Sequence, residues 1–161
     1  MITQQLIAET FEYRDGFLYW KAVTHPNKGY LRDKPAGSMH KTGYRHITWF
    51  NKPQKAHRLI FMLHHGYLPP EIDHINGNRA DNRIENLRPA NRSENQCNRN
   101  ILASNTSGYA GVSWHKKSQA WVVRVMKNGK TVVQQYFKDL ELAGLFAAEA
   151  RSLYHGTYAK I

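Results

Sequence analysis

Residues 71–96 read EIDHINGNRADNRIENLRPANRSENQ, and six of these twenty-six positions are asparagine. Asparagine is a poor residue for helix and strand interiors, because its short amide competes for nearby backbone groups. The larger apolar side chains in the stretch are Ile72, Ile75, Ile84 and Leu87. Such a segment folds either as a solvated loop or as a compact site made of turns and oxygen ligands.

Composition narrows the setting. The 161 residues are 41% hydrophobic and 12% aromatic, enough for a core and against global disorder. The longest apolar run, Leu59–Leu63, is too short to cross a bilayer, and the first residues lack the pattern of a secretion signal. No membrane association is expected. Cys97 is the only cysteine, which rules out internal disulfides and cysteine-based zinc sites and fits a reducing cytoplasm. The net charge of +11 is uneven: residues 1–56 carry +5, residues 57–104 carry +1 and residues 105–161 carry +5. Two basic flanks around a nearly neutral middle point to a polyanionic partner, above all nucleic acid.

The pattern along the chain predicts an N-terminal helix over Thr3–Phe11, then strands at Phe17–Trp20 and Tyr44–Phe50, with a turn at Asn51–Gln54. Trp20, Tyr30, Tyr44 and Trp49 are candidates for base stacking, although aromatics of a small β-rich module more often fill its core. Ala56–Gly66 reads as a buried helix stopped by glycine, with Pro69-Pro70 beyond it. Linker composition marks Ala103–Gly108. Three strands follow, the last two joined by an Asn128-Gly129 hairpin signal, and then a helix in which Leu140, Ala143, Ala147, Ala150 and Tyr154 share one side.

Within the asparagine-rich stretch, Pro70–Ile75 and Ile84–Pro89 are expected as a strand pair, with Asn76-Gly77 as a turn after the first. Asn91 and Glu94 have the spacing of a capping box and start a helix that holds Asn95 in its first turn. Adjacent strand residues point to opposite faces, so Asp73 and His74 can serve one site only where the strand ends or twists. The motif IDHINGNRADNRIENLRPANRSENQ, preceded by HRLIFMLHHGYLPP, resembles the HNH, or ββα-metal, endonucleases of the homing and phage-encoded type. The resemblance implies that Asp73 and Asn95 bind a metal, that His74 is the general base, and that Asn86 bonds across the loop to hold His74 in place. Many members have histidine where this chain has Asn95. An all-oxygen ligand set suits one Mg2+ or Mn2+ per active site better than zinc. Arg79, Arg92 and Arg99 are candidates for phosphate contacts.

The C-terminal segment, beginning SGYAGVSWHKKSQAWVVRV, resembles the ethylene-response-factor type of DNA-binding domain, in which a three-stranded sheet enters the major groove. Members carry arginines where this chain has Ala110 and Ser113, so guanine readout by the first strand is not expected. Trp114, Lys116, Lys117, Arg124 and Lys127 remain as DNA-facing candidates.

The resulting expectation is an α+β chain: a β-rich DNA-binding and support region (residues 1–56), a ββα-metal nuclease core (57–104), and a three-stranded antiparallel sheet packed on one helix (105–161). Its function would be metal-dependent cleavage of double-stranded DNA, nicking one strand or cutting both, with 5′-phosphate and 3′-hydroxyl ends. The alternative is a non-catalytic DNA-binding regulator with a degenerate nuclease core. One chain offers one active site, so a double-strand break calls for a homodimer or two binding events. If the chain is phage-encoded, the expected location is the host-cell cytoplasm.

Overall fold

The computed structural model describes residues 2–21, 34–98, 101 and 103–159; Tyr30 and Arg99 lie outside them. Helices and strands are mixed in an α+β arrangement, and the chain divides into two compact units after Asn91.

The first unit begins with α1 (Gln4–Thr10), whose N-terminus is capped by the Thr3 hydroxyl accepting from the Leu6 amide. β1 (Phe11–Arg14) and β2 (Phe17–Trp20) form a hairpin through Asp15-Gly16, both at positive φ as a tight two-residue hairpin turn requires. β3 (Ser38–Met39), β4 (Arg45–Trp49) and β5 (Lys52–Lys55) form an antiparallel sheet in that order. The β4–β5 turn is Phe50-Asn51, not the expected Asn51–Gln54. Pro53 belongs to β5, which tolerates it as an edge strand with no further neighbour in this sheet. α2 (Ala56–His65) follows and ends at Gly66, whose φ of 76° gives the left-handed turn expected of a stop glycine. β6 (Glu71–His74) and β7 (Leu87–Ala90) then pair antiparallel.

One core serves most of these elements. Ile7, Phe11 and Leu18 from the N-terminal part pack in the same cluster as Ile47 and Trp49 of the sheet, Ile60 and Phe61 of α2, and Ile72 and Leu87 of the β6–β7 pair. The regions expected as residues 1–56 and 57–104 therefore share their apolar interior as far as Leu87. Trp49 is buried here, while Trp20 and Tyr44 are half-buried.

The second unit holds α3 (Arg92–Cys97), the sheet of β8 (Val112–His115), β9 (Ala120–Lys127) and β10 (Lys130–Phe137) in the order β10-β9-β8, and α4 (Leu140–His155). Asn128-Gly129 makes the expected turn, with φ of 51° and 77°. Asp139 caps α4, its carboxylate accepting from the Leu142 amide at 2.8 Å. Ala143, Ala147 and Ala150 bury against Val112, Val123 and Val125. Small residues matter because the approach is close: a Cβ on Gly144 would lie 2.5 Å from the Tyr109 ring. Among the described residues no helix is long and apolar enough to cross a membrane.

Gly37 combines a φ of +77° with a position where a Cβ would strike the His46 carbonyl oxygen of β4. Gly129 has the same φ with nothing within 4 Å. Gly37→Ala is expected to cost about 2–4 kcal/mol, against about 1 kcal/mol for Gly129→Ala. Urea unfolding of the two variants beside the parent measures the difference.

Candidate active site

The asparagines of residues 71–96 mostly fold a loop. Between β6 and β7 the chain has no ladder to satisfy its polar groups, and short amides do so instead. Asn86, buried, accepts from the Asn76 amide at 3.0 Å and donates to the Asp81 carbonyl at 2.8 Å and to Asn76 Oδ1 at 3.1 Å. Asn76 Oδ1 accepts from the Asn78 amide, and Asn78 Oδ1 from the Ala80 amide. Asp81 is held by Asn76 and gripped by Arg83 through both carboxylate oxygens, which keeps its carboxyl far below the usual range. The β1–β2 hairpin supports the loop from below: the Tyr13 hydroxyl accepts from the Ile84 amide at 3.1 Å, and Gly16 leaves space for the Arg83 backbone.

Asp73 and His74 sit at the end of β6, and the chain turns at once, with the Gly77 amide donating to the His74 carbonyl at 2.8 Å. Both side chains are 4% exposed. Asp73 lies opposite Arg88 in the β6–β7 register, and the guanidinium donates to Asp73 Oδ2 through Nε at 2.8 Å and Nη2 at 2.6 Å. An ionised carboxylate at that depth needs a counter-charge, and the cross-strand arginine supplies it.

His74 Nε2 lies 3.0 Å from Asn82 Oδ1. An amide oxygen can only accept, so Nε2 carries the proton of the neutral ring and Nδ1 holds the lone pair. Burial lowers the His74 pKa from its ordinary value, opposed by the Asn82 bond and the nearby Asp73 charge. A neutral imidazole of fixed tautomer is the form a general base requires. Asn82 is 1% exposed, and among the described residues its Nδ2 has no hydrogen-bond partner.

A second layer lies behind His74. The His57 ring of α2 meets it edge to face, with centroids 5.1 Å apart, and Tyr44 lies 5.1 Å from His57 and 6.0 Å from His74. Lys55 and Arg79 each place a cation about 5 Å from the Tyr44 ring centroid. Burial, reinforced by His74, Lys55, Arg58 and His46, pushes the His57 pKa down to about 3.

Of the residues singled out in the sequence, Asp73, His74 and Asn86 come together on one hairpin. Asn95 is half-buried on α3, in the second unit, and Arg92 is exposed at the start of that helix. Arg79 is exposed but tethered, donating to the Thr42 carbonyl at 3.1 Å. Lys116 and Lys117 are exposed in the turn after β8, and Arg124 and Lys127 are exposed on β9. Arg124 donates to Gln134, which donates to the Tyr136 hydroxyl, so a polar row runs across the sheet. Trp114 pairs with Trp121, 5.0 Å between ring centroids, and by strand alternation lies on the helix side, opposite Arg124.

Asn82, Arg88 and His57 were not singled out as site residues, and Tyr44 was singled out only for base stacking. Arg88 becomes visible only once the β6–β7 register is known, and Asn82 is one asparagine among six. Among the described residues no cluster of three or more His, Cys, Asp or Glu side chains is placed to hold a metal. The donor chemistry at the end of β6, a carboxylate with amide oxygens nearby and no thiolate, fits a hard divalent cation.

Comparison with known proteins agrees with this chemistry. A family model described as HNH endonuclease matches residues 54–97, a span that contains Asp73, His74, Asn86 and Asn95. Protein 3.8 of Escherichia phage T7 is 34% identical over 115 residues, covering 69% of this chain and 93% of that protein. No solved structure matches the chain.

The buried His57 has a consequence for stability. Its folded pKa of about 3 lies below the ordinary value of 6.5, so the unfolded chain takes up the proton first. The contribution is complete above pH 6.5 and is lost as pH falls from 6.5 towards 3. No carboxylate offsets it, because the charged neighbours acting on His57 are the cationic or imidazole groups His74, Lys55, Arg58 and His46. His57→Phe should flatten the fall in Tm between pH 7 and pH 4, as measured by circular dichroism melts.

Proposed function

Because the chain belongs to the family of phage T7 Protein 3.8 and carries an HNH endonuclease domain over residues 54–97, we propose that it is a metal-dependent endonuclease acting on double-stranded DNA. The observation that carries this reading is the state of His74: buried beside a carboxylate, neutral, and fixed in tautomer by Asn82.

In this mechanism His74 Nδ1 takes a proton from water, the resulting hydroxide attacks phosphorus, and the bond from phosphorus to the 3′ oxygen breaks. The departing oxygen takes up a proton, leaving a 5′ phosphate and a 3′ hydroxyl. Asp73 and Asn95 would hold a divalent cation, Mg2+ or Mn2+, which supplies charge stabilisation at the phosphate and the leaving oxygen. Asn86 keeps the loop closed around Asn82, and Arg79, Arg92 and Arg99 would contact phosphates.

The three segments take different roles: residues 1–56 support and bind, residues 57–104 cleave, and residues 105–161 anchor the enzyme as a DNA-binding domain of the ethylene-response-factor type. Support for the last role comes from a three-stranded sheet packed on one helix and from exposed Lys116, Lys117, Arg124 and Lys127. A single active site nicks; cutting both strands would take two copies. The place of action would be the host-cell cytoplasm.

One observation favours a rival. Arg88 already neutralises Asp73, as it would in a DNA-binding regulator that has lost its metal. Supercoiled plasmid separates the two. The proposal expects conversion to open-circular or linear DNA with Mg2+ or Mn2+, none with chelator, and a fall of about 100-fold or more in His74→Ala. Plasmid that is bound but never cut in either metal would establish the regulator instead.

A further inference from the structure

The β4–β5 turn is chemically unusual. Two-residue hairpin turns with both central residues at positive φ favour Asn-Gly and its relatives, since side chains beyond Cβ make that conformation costly. Here the first position is Phe50, at φ 51°, followed by Asn51 at 56°. A bulky aromatic residue in this conformation is strained, and packing does not explain it, because Phe50 is 64% exposed. Fold stability alone would favour asparagine at this point.

The exposed ring is nevertheless braced. It stacks on Trp49 with centroids 5.0 Å apart and planes at 27°. Trp49 is 6% exposed and rests edge-on against Phe11, which in turn meets Trp20. A line of rings therefore runs from the hydrophobic core to the tip of the hairpin, so the outermost ring is held against displacement. Along the chain, the flanking residues carry one sign of charge. From Lys34 to Pro70 the sequence holds six Lys or Arg residues and no Asp or Glu, and the tip itself is followed by exposed Lys52.

We infer that Phe50 is a wedge that enters a base step of duplex DNA when the β4–β5 hairpin engages a groove. A planar apolar ring on a narrow two-residue tip followed by a lysine is the shape that partial intercalation requires, and the ring line resists the recoil. The strained turn then has a use: it projects the ring outward at a place where a relaxed residue would lie flat. This inference rests on the DNA reading above but not on cleavage, because a wedge unstacks bases whether or not the phosphodiester is cut.

The test uses the full-length protein, relaxed closed-circular plasmid and a topoisomerase that needs no divalent metal, in the presence of chelator. Bound wild-type protein should lower the linking number. Phe50→Asn should abolish that change and weaken duplex binding about tenfold, with a Tm equal to or above that of the wild type, while Phe50→Trp keeps the unwinding. Unwinding by Phe50→Asn equal to the wild type would overturn the wedge. A lowered Tm in that variant would do so too, since it would make Phe50 a cover for Trp49. Cleavage in Mg2+ without any unwinding would sink the wedge and leave the nuclease standing. Unwinding without cleavage would leave the wedge and remove the nuclease.

Discussion

The amide of Asn86 closes the loop between β6 and β7, and the position of His74 depends on that closure. Asn86 joins Asn76 on one side of the loop to Asp81 on the other, through bonds of 2.8–3.1 Å. Asn82 lies next to the clamped Asp81, so its Oδ1 is carried to His74 Nε2 by the same closure. Asn86 thus acts on the imidazole at one remove: it sets the loop, the loop sets Asn82, and Asn82 sets the tautomer. Side-chain amides can do this where a β ladder cannot, because they bond backbone groups in several directions within a few residues.

Burial gives that geometry its chemical meaning. Two imidazoles, His57 and His74, are buried, and burial favours the neutral ring of both; the cations around His57 reinforce this, whereas Asp73 and Asp81 oppose it at His74. The Asp73–Arg88 pair is the opposite case, with charges kept deep because each offsets the other. A pair of this kind gains less from its Coulomb attraction than it appears to, since both groups lose water. Its stronger effect is on register: slipping β7 by one residue would leave a buried carboxylate facing an apolar side chain, so Arg88 selects the alignment that also puts His74 at the strand end.

Local signals carried much of the fold. Thr3–Phe11, Phe17–Trp20, Ala56–Gly66 and the Asn128-Gly129 turn were legible because caps, stop glycines, β-branched runs and turn pairs act within a few residues. Asp73, His74 and Asn86 were legible as words of a motif. What was not legible depends on pairing across distance. Arg88 opposite Asp73 requires the hairpin register, and the core joining Ile7 to Leu87 requires the packed unit. The β4–β5 turn misled for a physical reason: Pro53 looks like a turn former, but an edge strand has room for it, and the turn fell on a phenylalanine that no propensity would place there.

The second layer would let a residue at a strand end serve as the rigid base of the proposed mechanism. His57 stands at the start of α2, the helix that also puts Ile60 and Phe61 into the centre of the core. Its ring meets His74 edge to face, so His74 is held from the loop side by a hydrogen bond and from the core side by ring packing. Two supports of different kind restrain two motions: the Asn82 bond limits rotation about χ2, and the His57 ring limits tilt towards the interior. Proton transfer is steeply sensitive to the placement of the base, and preorganisation of this kind places the cost in folding instead of in each turnover. An imidazole that stays neutral is also the better support here, since a charged His57 would repel the imidazolium that the proposed mechanism would form at His74.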